Sequence, residues 1–311
     1  MQNIIITPRS LSKGDHPLLE KIRDEGYGLI FPAPGRQPTE AELLQVIEDA
    51  VGYLAGVESI TATVIDKAKH LKVISRNGTG IDNIDVEAAR KKGIEIKRAE
   101  GANARGVAEL TFGLIIAAAR DIVASDKNLK ARAWIREKGF ELEGKTLGLI
   151  GCGKVGKLVA RFALAFDMKV IAFDSYPDRN FSPSDKFSFA TKEEVIAESD
   201  IISLHCPPSP DKKAIIGALE IERMKRGTII INTARQSLVD EQAVIAALDK
   251  GHIKNYSIDA FDKEPPDDWT LSSKNSVVAT PHIGGFTNES IDRATEIAID
   301  NILESLSRNP G

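Results

Sequence analysis

Short apolar runs alternate with helically spaced apolar stripes along most of the chain, a rhythm that predicts strand and helix in succession. In the first hundred residues the strand candidates are Asn3–Thr7, Tyr27–Phe31, Val51–Ala55, Lys72–Ser75 and Ile94–Lys97. Helical stretches at Thr39–Glu48, Thr63–His70 and Asp85–Lys92 lie between them. Thr39 is placed as an N-cap, with Glu42 three residues on to complete a capping box. Asn103–Arg120 is apolar nearly all round, so it is expected to be a helix buried between domains or against a second subunit. Residues 121–144 are more polar and hold Trp134. Six further strands are expected at Thr146–Ile150, Lys169–Phe173, Asp200–Leu204, Thr228–Asn232, Tyr256–Asp259 and Val277–Thr280. Residues 178–185 and 262–268 read as loops, and Thr287–Leu306 as an amphipathic helix with Ala294, Ala298 and Ile302 on one face.

This pattern predicts the α/β class, with parallel sheets covered by helices on both faces. Length agrees, since 311 residues suit two domains better than one core. The second set of six strands matches a full dinucleotide-binding sheet. Its opening carries the strongest local signal, Gly151-Cys-Gly153-Lys154-Val155-Gly156 between a predicted strand and a predicted helix. Gly151 permits the tight turn, Gly153 allows backbone to approach a pyrophosphate, and Gly156 lets helix and strand pack closely. Asp174 stands eighteen residues after Gly156, where an acid can hold both ribose hydroxyls and repel a 2′-phosphate. The cofactor is therefore expected to be NAD.

Ligands of open parallel sheets bind outside the carboxyl ends of the strands. The residues just past the six runs are Gly151, Asp174, His205-Cys206, Ala234-Arg235, the Asp259–Glu264 segment and Pro281-His282. Hydride exchange between a nicotinamide and a 2-hydroxy acid needs a cation for the carboxylate, for which arginine is best shaped. It also needs a group titrating near neutrality, and a carboxylate to hold that group's tautomer. Arg235, His282 and Glu264 are placed to supply the three. Among the other histidines only His205, at a strand end, rivals His282, and a cofactor-lining role is expected for it.

Composition is ordinary, and a net charge of −4 gives no reason to expect nucleic acid or an anionic membrane as partner. The longest apolar run, Leu110–Ala119, is too short to span a bilayer. The start lacks the marks of a signal peptide, and Cys152 and Cys206 suit a reducing compartment with no metal site, so a cytoplasmic protein is expected.

Several ordered motifs together resemble the D-isomer-specific 2-hydroxyacid dehydrogenase family, most of all its D-3-phosphoglycerate dehydrogenase branch in a short form without a C-terminal regulatory domain. They include Arg76-Asn-Gly-Thr-Gly-Ile-Asp-Asn83, Val107-Ala-Glu-Leu110, Gly144–Gly156, His205 with Pro207, Ile231-Asn-Thr-Ala-Arg235, Phe261-Asp-Lys-Glu-Pro265 and Thr280-Pro-His-Ile-Gly-Gly285. The resemblance implies a flavodoxin-like substrate domain of residues 1–100 with 286–311, and a Rossmann NAD-binding domain of residues 101–285. It implies that Arg235 orients the substrate in a cleft between the domains, that His282 is the acid/base and that Glu264 is its partner. Asn77 and Gly78 would offer backbone donors to the substrate carboxylate, with Thr79 near the nicotinamide. Lys154 and Val155 would meet the pyrophosphate, while Cys206, Pro207, Thr233, Ala234, Asp259 and Gly284 would line the rest of the cofactor. Members usually pair through the cofactor domain, which would make Asn103–Arg120 a dimer element. The substrate would be a small 2-hydroxy or 2-keto acid, with 3-phosphoglycerate as one candidate and hydroxypyruvate, glyoxylate or a branched-chain acid as alternatives. A non-catalytic NAD-sensing scaffold is the reading from another class.

Three positions depart from the family pattern. Gln236 stands where glycine usually follows the arginine, and Gly106 where serine is common. The loop after the third strand, Ala55-Gly-Val-Glu58, carries an acid where phosphoglycerate members have an arginine. Glu58 is expected to repel a phosphate there, leaving Arg76 or Arg136 to compensate.

Overall fold

The structure, a computed structural model, describes residues 2–308 except Pro210 and Lys212. The chain forms two compact units, one of residues 1–103 with 287–311 and one of residues 104–286.

In the first unit five strands are formed: β1 (Asn3–Ile6), β2 (Gly28–Ile30), β3 (Ala50–Ala55), β4 (Val73–Arg76) and β5 (Glu95–Arg98). All pair in parallel, in the order β2-β1-β3-β4-β5. This is the flavodoxin-like order, in which the topological switch point lies between β1 and β3. Alternation along β1 sends Ile4 and Ile6 to one face and Ile5 to the other, so each face has its own core. Ile5 joins Tyr53, Val64, Ile65 and Ile74. Ile4 and Ile6 join Leu54, Val73 and the buried stripe of the helix Asn288–Arg308, namely Ala298, Ile299, Ile302 and Leu306. That helix lies so close to β3 that a Cβ on Gly52 would sit 3.1 Å from Ile302. Thr39 caps the helix Glu40–Val46, and the reciprocal bonds with Glu42 are both present.

The second unit holds seven strands, one more than the apolar runs suggested. They are β6 (Thr146–Ile150), β7 (Lys169–Phe173), β8 (Phe187–Phe189), β9 (Ile201–Leu204), β10 (Thr228–Asn232), β11 (Ile253–Ile258) and β12 (Val277–Ala279), all parallel in the order β12-β11-β10-β9-β6-β7-β8. The added strand, β8, is an edge strand of three residues following a Pro-, Ser- and Asp-rich stretch, too short to give a period-2 signal. It pairs in parallel with β7, and Phe187 is buried in the unit's core, edge-to-face with Phe181 at 5.1 Å between centroids.

The apolar helix is found at Ala104–Ala119, but one chain already consumes its surface. Phe112, Leu114, Ile115, Ala118 and Ala119 are buried in the second unit's own core with Leu147, Leu149, Val159 and Ile231. A dimer is therefore not needed to explain its composition. The next helix, Ile122–Lys130, carries no buried residue and leaves Ile122, Val123 and Leu129 exposed, with Trp134 and Ile135 beyond it. Among the described residues no helix is long and apolar enough to cross a membrane.

Candidate active site

The glycine turn is built by close approach. Gly151 follows β6 at φ +98°, and a Cβ there would lie 2.5 Å from the His205 carbonyl carbon and 2.7 Å from the Cys206 nitrogen. A Cβ on Gly156 would lie 2.3 Å from the Gly151 oxygen. Gly153 differs, because its Cβ direction is open space. It is also the N-cap of the helix Lys154–Ala165 and brings no side chain to cap it. An uncapped helix start with backbone that can be approached closely is what a pyrophosphate requires. These residues fit a dinucleotide.

Asp174 stands directly after β7. Its carboxylate accepts from the N–H of Cys152 at 2.7 Å and from the N–H of Tyr176 at 2.8 Å. Asp174 is thus tied to the glycine turn itself. Burial, helped by the Asp174 charge, pushes the thiols of Cys152 and Cys206 up to about 11, so both stay protonated and neither is poised as a nucleophile.

His205 donates its backbone N–H to the Ile150 oxygen at 2.8 Å, and its Nε2 pairs with the Ser203 hydroxyl at 2.9 Å. Some of the residue's surface remains accessible, yet burial of the ring pushes its pKa down to about 3. A histidine neutral throughout the working pH range cannot alternate as acid and base, and this removes the rival to His282. The same shift makes a stability prediction. The folded value lies below the ordinary 6.5, so stability is complete above about pH 6.5 and is lost as pH falls toward 3. Between pH 7 and 5 a His205→Gln variant is expected to lose about 2 kcal/mol less than the parent. Denaturant unfolding at the two pH values measures it, and equal losses would refute the assignment.

Three strands of the second unit position the remaining groups. At the end of β10 the buried Asn232 holds the following turn with its side-chain amide. Its Oδ1 accepts from the Ala234 N–H at 3.1 Å, and its Nδ2 donates to the Arg235 carbonyl at 2.8 Å and the Tyr256 hydroxyl at 3.1 Å. Thr233 bonds the hydroxyl of Thr111 at 2.8 Å, and the Arg235 guanidinium donates to the Ala234 carbonyl at 2.7 Å. Asp259, after β11, is buried, and both its oxygens are occupied. One accepts from the Thr280 hydroxyl at 2.6 Å and the Ile283 N–H at 2.8 Å, the other from the Gly284 N–H at 2.8 Å. A Cβ on Gly284 would come within 2.9 Å of that carboxylate. The Asp259 carboxylate thus folds the loop that bears His282. The sequence marked Asp259 by its place at a strand end and, through the resemblance, as a cofactor-lining residue, but not as the organiser of this loop.

Within that loop His282 adopts a left-handed backbone, φ +52°, which is uncommon for a residue with a Cβ. Its Nδ1 lies 2.7 and 2.9 Å from the two oxygens of Glu264, and Glu264 Oε1 also accepts from the Phe261 N–H at 3.0 Å. A carboxylate on Nδ1 selects the tautomer with its proton there, leaving Nε2 for chemistry. The pair is about half-exposed.

Asn77, Gly78 and Thr79 belong to the first unit, just after β4. The Asn77 N–H donates to the Ala55 carbonyl at 2.8 Å, its Nδ2 donates to the Thr295 hydroxyl at 3.3 Å, and its Oδ1 is buried with no partner. Gly78 has φ +153°, and a Cβ there would strike the Arg76 guanidinium at 2.5 Å. Thr79 donates to the Asn103 Oδ1 at 3.1 Å.

Glu58, expected to face a phosphate, is turned inward instead. It is 1% exposed. Its Oε1 accepts from the Thr7 hydroxyl, from the Tyr53 hydroxyl at 2.9 Å and from the Gly56 N–H at 3.1 Å. The other oxygen is buried with no partner.

Two doubly wound parallel sheets, a glycine cradle fit for a dinucleotide and a histidine–glutamate pair at the strand ends define a dinucleotide-binding α/β class. The family model described as the D-isomer specific 2-hydroxyacid dehydrogenase, NAD binding domain, matches residues 112–284, and the chain belongs to that family. It is 42% identical over 272 residues to a D-3-phosphoglycerate dehydrogenase of Methanocaldococcus jannaschii, covering 86% of this chain and 52% of that one. It is 41% identical over 271 residues to a hydroxypyruvate reductase of Thermotoga maritima, covering 85% of this chain and 88% of that one. The NAD+-bound 3-phosphoglycerate dehydrogenase structure from Entamoeba histolytica superposes with a TM-score of 0.80 at 29% identity, covering 100% of this chain and 96% of that one. The chain spans about half the length of the curated phosphoglycerate dehydrogenases it matches.

Proposed function

We propose that this protein is an NAD-dependent dehydrogenase that interconverts a small 2-hydroxy acid and its 2-keto acid. The observation that carries this reading is the His282–Glu264 pair, held at the carboxyl edge of the sheet that also bears the glycine cradle. Bound NAD would supply the hydride acceptor for oxidation and, as NADH, the donor for reduction. Arg235 binds the substrate carboxylate and polarises the neighbouring oxygen. His282 Nε2 takes the hydroxyl proton during oxidation and returns it during reduction, while Glu264 steadies the imidazolium through Nδ1–H. Thr79, Lys154, Val155, Cys206, Pro207, Thr233, Ala234 and Gly284 are assigned to the cofactor, and Asn77 and Gly78 to the substrate carboxylate.

Asp174→Ala is expected to narrow the preference for NADH over NADPH by about tenfold or more, the worth of hydrogen bonds to a charged acceptor. The ratio of kcat/KM for the two cofactors reads this, and an unchanged ratio would mean that another residue reads the ribose.

Similarity to phosphoglycerate dehydrogenases makes 3-phosphohydroxypyruvate the first substrate to test. A second reading, an unphosphorylated acid such as hydroxypyruvate, rests on a specific observation. The loop at residues 55–60 carries no cation, and its one charged side chain is turned inward. NADH oxidation against a panel of 2-keto acids separates the two, and failure with every acid in the panel would sink the dehydrogenase reading.

We also place the protein in the cytoplasm, in keeping with two free thiols. A homodimer through the second unit is proposed on new ground. Five large apolar residues are exposed within 122–135, among them Trp134 at 83%, and a second copy would cover them.

A further inference from the structure

Glu264 sits on a long connection between β11 and β12, and two hydrogen bonds tie this loop to the segment bearing Arg235. The agent is Gln236. Its Oε1 accepts from the Asp262 backbone N–H at 3.0 Å, while its Nε2 donates to Glu241 Oε2 at 2.5 Å. A reciprocal bond runs from the Ser237 backbone N–H to Asp262 Oδ1 at 3.3 Å. The orientation of the Gln236 amide follows from its partners, because a backbone N–H only donates and a carboxylate only accepts. Glu241 opens the helix Glu241–Asp249, so one end of the amide is anchored on regular structure and the other on the loop that carries Glu264. Two residues beyond Asp262, Glu264 takes the Phe261 N–H and grips His282.

From this geometry we propose that Gln236 is a positioning residue, a strut that holds the Arg235 turn and the Glu264–His282 pair in register. Both ends of its amide are engaged within the protein, by Glu241 and by the Asp262 backbone. Alanine at this position lacks the reach, and glutamate would set a carboxylate against Glu241. The inference rests on the dehydrogenase reading, and it places the relative geometry of carboxylate-binding and proton-transferring groups under one side chain.

The test compares Gln236→Ala, Gln236→Glu and the double variant Gln236→Glu with Glu241→Gln, which exchanges donor and acceptor and rebuilds both bonds. Both single variants are expected to lose about tenfold in kcat with little change in KM for NADH and in Tm. The double variant is expected to recover to within about twofold of the parent. Amide hydrogen exchange at Asp262, measured on the intact protein without substrate, is expected to quicken in Gln236→Ala and to slow again in the double variant. Unchanged kcat in the alanine variant, or a double variant no better than Gln236→Glu, would overturn the strut. If the parent turns over no 2-keto acid, the dehydrogenase reading fails, and exchange at Asp262 still decides whether the strut exists.

Discussion

Replacing His282 by alanine is expected to lower kcat by at least about a hundredfold while NADH affinity changes little, the low end of what general acid–base catalysis contributes. The expectation follows from how the ring is held. Glu264 occupies Nδ1, so Nε2 is the only nitrogen left to exchange a proton with substrate. Burial holds His205 neutral through the working range, so it offers no substitute. Because His282 is about half-exposed, its loss empties no core, and Tm should stay close to that of the parent. Steady-state rates, together with NADH binding followed by fluorescence, check both halves. Near-normal turnover would reject the acid/base role, and lost NADH binding would show that the loop rather than the proton had been disturbed.

A Glu58→Ala variant is expected to destabilise the first unit by about 3 kcal/mol, roughly 10 °C in Tm. The carboxylate gathers three donors from two strands and the turn that follows one of them, and removing it strips all three of a charged acceptor. The buried Tyr53 hydroxyl loses the partner it has, while Thr7 keeps only the Leu54 carbonyl at 3.2 Å and the Gly56 N–H only the Thr7 hydroxyl at 3.0 Å. Burial, reinforced by the neighbouring Glu58 charge, holds the Tyr53 phenol well above its usual value, so it remains a donor at every working pH. Glu58→Gln keeps an acceptor in place and should cost about 1 kcal/mol. Calorimetry on the three proteins measures the order, and an alanine variant as stable as the parent would show that the buried cluster contributes no net stability.

Glu58 also shows where sequence reasoning stopped. In a loop of small residues an acid looks solvated, and only the fold reveals that Thr7, fifty-one positions away, reaches it. The same limit hid β8, whose three residues are too few for a periodic pattern and are defined by their pairing with β7. It also hid the helix Ile122–Lys130, which buries nothing and so leaves no apolar stripe to detect. Conversely, Asn103–Arg120 was legible as a buried helix, but what buries it was not. Apolarity states that a surface must be covered and says nothing of the cover, which here is the second unit's own core.

By itself the sequence determined what repeats or follows strict local rules. The strand–helix alternation set the class, the glycine spacing with Asp174 marked a dinucleotide cradle, and strand ends gathered Arg235, Glu264 and His282 as candidates. These are legible because periodicity and backbone conformation are properties of neighbouring residues. Tertiary structure alone decided that His205 is held neutral by burial, how Asp259 folds the His282 loop, where the Glu58 charge goes and what Gln236 spans. Each depends on burial or on hydrogen bonds between segments far apart in sequence, and such energies exist only once the chain has brought those segments together.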